Sequence, residues 1–295
     1  MTARPFDPAK PIDLHLHSNE SDGTESPAQV VQAAADAGLG TIALTDHDTM
    51  VGWDEAGAAA RQLGLALIPG IEFSTQIELA SVHILGYLLD RHDQHLVAEL
   101  DRIRNDRVTR AERMVEAIGR DFPLKWDDVL AEAQEGATIG RPHIADALAR
   151  KGLVADRNEA FASILHWRGG YFQPHRAPHP THAIELIHEA GGVAVLAHGG
   201  SRGRRAMSDG NFPKLVAAGL DGVEIGHREN DELARSLLRG YARKHDLIVT
   251  GSSDYHGAGK PNQLGENTTD PVELERIIAR ATGTKPVVPH REPER

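Results

Sequence analysis

The chain places histidines and acids where strands end. His15 and His17 stand two apart in an apolar run, so a strand there turns both imidazoles to one face. His47 closes a second apolar run, Glu72 lies near the end of a third, and His83 falls within a fourth. His198 ends a fifth run and Asp254 ends the last, with His256 two residues on, while Asp22 follows the first run closely. A lone histidine or acid at such a place is ordinarily a solvated loop residue. Here the placement recurs from strand to strand, and strand ends of a parallel barrel meet at one rim, where such enzymes carry their chemistry. Imidazoles and carboxylates gathered there are nitrogen and oxygen ligands for divalent metal ions. Arg104, Arg107, Arg110 and Arg113 recur every third residue. On a helix that spacing drifts by about 60° per step, so neighbours share a face. Asp106, Glu112 and Glu116 are interspersed, which also suits a salt-bridged surface, but guanidinium is the natural fork for phosphate oxygens.

The elements that must position these residues alternate. Strands are expected over Pro11–His17, Thr41–His47, Leu65–Ser74, Ser81–Leu89, Val193–His198, Gly222–Gly226 and Leu247–Asp254. Helices are expected over Pro27–Gly38, capped by Ser26, then Gly52–Leu63, His182–Ala190, Phe212–Ala218, Asp231–Lys244 and Pro271–Ala281. Such βα alternation implies a parallel sheet or barrel. The rhythm breaks from about Arg91 to Pro180, where the pattern is helical: Gln94–Gly119, Lys125–Gln134, Pro142–Lys151 and Arg157–Trp167, then a loop broken by Pro174, Pro178 and Pro180. The expected organisation is an α/β barrel from 11–90 and 181–284, a helical insertion over 91–180 forming a lid on the substrate, and a frayed tail from Lys285 to Arg295.

Composition bounds the chemistry. The 295 residues hold 17 histidines and no cysteine, which removes disulfides, thiolate zinc sites and cysteine nucleophiles together. Lys and Arg number 32 against 43 Asp and Glu, a net charge of -11, which disfavours long duplex nucleic acid as a partner. No run approaches the roughly 18 apolar residues of a membrane span, and mean hydropathy is -0.38. Met1 to Lys10 has no apolar signal core, so a cytoplasmic location with no membrane partner is expected.

Seven motifs, in order, carry a resemblance. Asp-Leu-His-Leu-His-Ser at 13–18, Ser-Asp-Gly at 21–23, Leu-Thr-Asp-His-Asp at 44–48, Pro-Gly-Ile-Glu-Phe-Ser at 69–74, His-Ile-Leu-Gly-Tyr at 83–87, Ala-His-Gly-Gly at 197–200 and Gly-Ser-Ser-Asp-Tyr-His-Gly at 251–257 resemble the polymerase-and-histidinol-phosphatase family. The resemblance implies a distorted seven-stranded (β/α) barrel holding up to three metal ions. It assigns His15, His17, Glu72 and Asp254 to the first ion, Glu72, His83 and His198 to the second, and Asp22, His47 and His256 to the third. An Asp at position 22 is similar to the branch acting on nucleotide phosphates. That branch has a similar arginine-rich helix followed by Arg-x-His, matched here by Arg141-Pro142-His143. The implied substrate contacts are therefore Arg104, Arg107, Arg110 and Arg141, with Arg113 pointing away. The family often has Pro after the histidine of the fifth strand, where Gly199 stands here.

The implied activity is phosphate ester hydrolysis at two or three divalent ions, manganese foremost, with iron or zinc also suited to the donors. Such ions lower the pKa of a bound water and neutralise phosphoryl charge, so no serine or cysteine nucleophile is needed. A metal-bound water or a nearby histidine would protonate the leaving group. The expected substrate is the 3′-phosphate of a nucleoside 3′,5′-bisphosphate, with short RNA trimmed from its 5′ end as a related activity and no obligate protein partner. The alternatives are histidinol phosphate, a proofreading-like DNA exonuclease module and a non-catalytic metal-binding protein. Asp46 and Asp48 are read as groups that orient imidazoles or cap loops. Lys260 is read as a surface lysine, and Trp53, Trp126 and Trp167 as core. His92, His95, His175, His179, His182 and His188 are read as solvated, and His227, after Glu224, is left outside the site.

Overall fold

A computed structural model describes residues 4–78, 80–133, 139–173 and 176–289. β1 (Ile12–Leu16) leads into α1 (Pro27–Asp36). The start of α1 is fixed by a reciprocal cap. Ser26 Oγ accepts from the Gln29 N–H at 3.3 Å, and the Gln29 carboxamide accepts from the Ser26 N–H at 2.8 Å. β2 (Thr41–Leu44) and α2 (Trp53–Leu63) follow, α2 closing on Gly64 at φ +77°, a left-handed turn that suits glycine. Then come β3 (Ala66–Ile77), β4 (Ala80–Tyr87) and the 25-residue α3 (Gln94–Ile118). Three short helices continue the insertion: α4 (Trp126–Leu130), α5 (Arg141–Arg150) and α6 (Arg157–Ala162). The alternation resumes with α7 (Pro180–Glu189), β5 (Val193–Leu196), a short 3-10 turn, α8 (Phe212–Ala217), β6 (Gly222–Gly226), α9 (Glu232–His245), β7 (Ile248–Gly251) and α10 (Pro271–Arg280).

The seven strands pair in sequence order, β1 to β7. The His17 N–H donates to Tyr255 O at 2.9 Å, bringing the end of β1 to the segment after β7, so the barrel is nearly closed. The barrel is the distorted seven-stranded one expected, but its strands are not all parallel, because β4 runs antiparallel to both β3 and β5. The cause is local. β3 and β4 are joined by a hairpin turn, with Glu78 in the left-handed region at φ +55°, too short for the crossover that a parallel return requires. His83 therefore reaches the rim from the first half of β4, not from its end. Its cross-strand partner is Ser74, one same-face step beyond Glu72.

Buried apolar side chains form three clusters around the barrel and a fourth drawn from residues 111 to 165. α3 serves two of these cores. Leu96, Leu100 and Ile103 pack with barrel residues, whereas Ala111, Met114, Val115 and Ile118 pack within the insertion. Trp53 is buried and donates from Nε1 to Gly70 O at 2.8 Å, and Trp126 packs on the insertion core. Trp167 departs from expectation: it is 61% exposed, with the Arg168 guanidinium over its ring. The helix expected to carry it inward ends at Ala162. Val287, in the stretch expected to fray, exchanges two backbone hydrogen bonds with Leu67 at 2.8 and 2.9 Å. His188, expected to be solvated, lies 2.8 Å from Asp221. Gln134, Pro174, His175 and 290–295, which also figured in the expectations, lie outside the described residues.

Candidate metal centre

The barrel brings all nine expected residues to one end. His15 lies in β1 and His17 just beyond it, and His47, after β2, forms a bridge with Glu72 of β3. His198 and Asp254 follow β5 and β7 at φ +28° and +56°, and Asp48 beside His47 has φ +56°. Positive φ is costly for side-chain-bearing residues, so three of these strained positions being at one rim marks it as a built site. At the departure from the family pattern, Gly199 has no positive φ, and its neighbour Gly200 carries the tight approach. A Cβ on Gly200 would lie 2.6 Å from both Ala234 Cβ and Asn230 Oδ1, the atom that accepts its N–H at 2.7 Å.

Glu72 is the hub. It is 1% exposed and its two oxygens face five imidazoles. Oε2 lies 3.2 Å from His15 Nε2, 3.1 Å from His17 Nε2 and 3.3 Å from His47 Nδ1, and Oε1 lies 2.6 Å from His83 Nδ1 and 2.8 Å from His198 Nε2. Asp254 Oδ1 stands 3.4 Å from Nε2 of both His15 and His17. Asp22 Oδ1 stands 3.1 Å from His256 Nε2. Three groups result, each with donor atoms within 4.8 Å of one another: His15, His17, Glu72 and Asp254; His17, Asp22, His47 and His256; and His47, Glu72 and His83. Two follow the expected sets, the second of them with His17 added. The last contains His47 in the place expected for His198, whose Nε2 nonetheless reaches Glu72.

The donors fit a cation. Nε2 of His15, His17 and His256, Nδ1 of His47 and His198, and Oδ1 of Asp22 are all buried without a hydrogen-bond partner among the described residues. Buried polar atoms are normally satisfied, and each orphan costs about 1–3 kcal/mol. Nitrogen and carboxylate oxygen around a shared centre are what manganese, iron or zinc would satisfy. Protonation reflects the same crowding. Burial works against charge on Glu72 and Asp254, yet the His47, His83 and His15 imidazoles hold Glu72 well below the usual carboxylate range, and Lys260 and His256 do so for Asp254. Burial is outweighed at His17 by Asp254 and Glu72, which lift its pKa to about 9. A divalent ion must displace that proton, so loading releases protons.

Asp46 and Asp48 hold loops, not imidazoles. Asp46 accepts from the Ser18 N–H at 2.7 Å and from the Ser21 hydroxyl at 2.6 Å. Asp48 accepts from the Ser74 N–H and hydroxyl, both at 2.7 Å, and pairs with Arg107 Nε at 2.9 Å. Arg107 also bonds Ser74 Oγ, so the arginine helix is tied to the strand pair carrying Glu72 and His83. Arg104 donates to Asp48 O at 3.2 Å and pairs with Asp101, while Arg113 is exposed. Arg110 donates to Gln173 O at 2.7 Å, with Phe172 5.5 Å beneath it, and Arg141 lies over Phe161 and Phe172 at 5.2 and 6.0 Å. Lys260 is not a free surface lysine: its Nζ lies 2.7 Å from Asp254 Oδ2. Sequence reasoning missed three residues. Glu224 and His227 are fully buried against the centre, and Arg157 joins Asp146 at 2.8 and 2.5 Å to Asp22 O at 3.2 Å. An acid amid the apolar residues of Gly222–Gly226 was the available signal for Glu224.

Burial, then Arg141 and Arg107, push the Arg110 guanidinium down to about 9. Below that pH the folded chain holds a proton that the unfolded chain holds more easily. The penalty is fully present at neutral pH and shrinks only as pH climbs above 9. Arg110→Met is therefore expected to stabilise the ligand-free protein. Relief of about 1 kcal/mol would raise Tm by about 2–4 °C. Inorganic phosphate should narrow the gap by stabilising the parent chain alone. A lower Tm in Arg110→Met, measured by calorimetry, would contradict this.

The PHP domain model matches residues 13–164. A 5'-3' exoribonuclease of Haemophilus influenzae is 34% identical over 88% of this chain and 94% of its own. A 3',5'-nucleoside bisphosphate phosphatase of Chromobacterium violaceum is 33% identical over 91% of this chain and 95% of its own. A solved structure described as a putative metal-dependent phosphoesterase from Bifidobacterium adolescentis superposes with TM-score 0.90 at 44% identity, over 93% of this chain and 98% of that one.

Proposed function

The chain belongs to the PHP domain family of metal-dependent phosphoesterases, and on that premise we propose that it removes the 3′-phosphate of nucleoside 3′,5′-bisphosphates, with trimming of short RNA from the 5′ end as a related activity. The observation that carries this reading is a crowd of guanidiniums, Arg107, Arg110 and Arg141, beside a centre able to take more than one cation. One phosphate sits at the centre, and a second, uncleaved phosphate is held by the arginines. The relatives that act on nucleotides and RNA support the same substrate class.

Divalent ions, manganese foremost, supply an acidified water and charge neutralisation at phosphorus when bound. His15, His17, Glu72 and Asp254 would hold one, Glu72, His83 and His198 a second, and Asp22, His47 and His256 a third. The chain's own residues do the rest. Glu72 joins the groups through its two oxygens, Asp48 and Ser74 aim Arg107, and the Phe161 and Phe172 rings back Arg141. Every guanidinium can offer two parallel N–H donors to the phosphate that is not cleaved. The net charge of -11 supports a small nucleotide or short RNA over long duplex, and the proposed location is the cytoplasm. Among the described residues no helix is long and apolar enough to cross a membrane.

The test is phosphate release with manganese over nucleoside 3′,5′-bisphosphates, mononucleotides, short RNAs and histidinol phosphate. The bisphosphate should lead in kcat/KM, and histidinol phosphate leading would overturn the reading. Elemental analysis of manganese-loaded protein, with an anomalous-scattering map, should find two or three ions per chain on the nine named residues. A folded chain that takes up none would refute the metal assignment.

A further inference from the structure

β6 contributes no member to the candidate ligand sets, yet it delivers two buried groups to the centre, Glu224 and His227. Their hydrogen bonds fix which nitrogen of each neighbouring ring carries a proton. His15 Nδ1 faces Glu224 Oε1 at 3.1 Å, while Glu224 Oε2 accepts the His198 N–H at 2.8 Å. A carboxylate can only accept, so His15 Nδ1 is an N–H, which leaves Nε2, facing Glu72 and Asp254, as the atom that would take a cation. His256 follows the same rule, since its Nδ1 faces Asp254 O at 2.9 Å and its Nε2 faces Asp22.

His227 is wired the other way. Its Nδ1 accepts the Glu229 N–H at 3.1 Å, so the ring proton resides on Nε2. That Nε2 is buried without a hydrogen-bond partner among the described residues, 3.5 Å from Asp254 Oδ2. The ring cannot turn cheaply, because it is fully buried and a flip would put carbon in place of the nitrogen that accepts the Glu229 N–H. An Nε2 that bears hydrogen has no lone pair for a metal. Losing that proton would leave an imidazolate, so the ring is a poor general acid as well.

We propose that β6 is the orienting strand of the centre: Glu224 sets His15 as an Nε2 ligand, and His227 is an N–H that faces the outer oxygen of Asp254 and is not a ligand. Asp254 then divides its oxygens. Oδ1 faces His15 and His17, and Oδ2 is held by Lys260 at 2.7 Å and faced by His227 at 3.5 Å. Both are positioning residues, and the inference rests on the metal reading above.

The test combines manganese binding with histidine spectroscopy on the full chain. Glu224→Ala should weaken manganese affinity by about 10–100-fold, the usual cost of removing a partner of a metal-bound imidazole. Glu224→Gln, which keeps one acceptor of two, should fall between it and the parent. His227→Ala should weaken affinity by roughly tenfold while leaving the saturating number of ions unchanged, and His227→Gln, which keeps an N–H donor, should recover most of the loss. Loss of one ion per chain at saturation in His227→Ala would make it a ligand and overturn the proposal. So would unchanged affinity in both Ala variants. Nitrogen-15 spectra of the zinc-loaded parent chain give a second readout that needs no variant to fold. His15 should carry its proton on Nδ1 and His227 on Nε2, and the opposite pattern overturns the assignment. A parent chain that binds no manganese would sink the metal reading itself, which separates that failure from this one.

Discussion

Glu72→Gln is expected to lower kcat/KM for phosphate release by at least the roughly 10–100-fold seen when mere partners of metal ligands are changed, and to lower bound manganese with it. Glu72 faces five imidazoles with two oxygens. A carboxamide keeps the shape but replaces one oxygen with an N–H₂ donor and removes the negative charge. It cannot join two cations, and it aims hydrogens at nitrogens that should be offering lone pairs. The apo fold should tolerate the change better than the centre does, because β3 is held by its backbone ladder to β2 and β4. The measurement is elemental analysis and turnover beside a melting curve. Near-normal turnover would mean that Glu72 is not the shared ligand.

Arg141→Lys is expected to cost about ten- to hundredfold in the specificity constant for a nucleoside bisphosphate, the worth of a charge-assisted contact of about 1.5–3 kcal/mol. The structure adds a reason for the penalty. The Arg141 guanidinium lies over Phe161 and Phe172, and a flat fork can rest on a ring while presenting its edge to phosphate. An ammonium, a compact point charge, cannot lie flat on the ring and present a two-donor edge at the same time. A simple aryl phosphate, with no second phosphate to hold, should be spared, and metal content should not move. Equal losses on both substrates would place Arg141 at the reacting phosphate or in support of the fold. No loss on either would return the series to a solvated helix face.

Most of the site was legible because period-two alternation marks strands and because histidines and acids at strand ends break an apolar pattern. His15, His17, Glu72 and Asp254 could be found that way, and the barrel followed from seven such runs. Three things were not legible. The reversal of β4 was hidden because a buried strand reads alike in either direction; only its short turn after Ile77 distinguishes the two. His227 was left outside the site because nothing in sequence tells which nitrogen a backbone N–H will claim. Trp167 was misplaced because helix ends are the least determined part of a pattern, and α6 stops short of it.

The double anchorage of α3 has a consequence for how a substrate is measured. The helix is about 37 Å long at 1.5 Å per residue, and each half is buried in a different core. Arg104, Arg107 and Arg110 fall at the handover between those halves, and Arg107 is bonded to Ser74, the cross-strand partner of His83. These three arginines are thus carried on a helix packed into the barrel as well as into the insertion. Little ordering entropy is left to be lost when a ligand arrives. On the proposed reading, the gap between guanidiniums and centre acts as a gauge. A molecule qualifies by the spacing of its two phosphates, and one whose phosphates are too near or too far meets only half of the site.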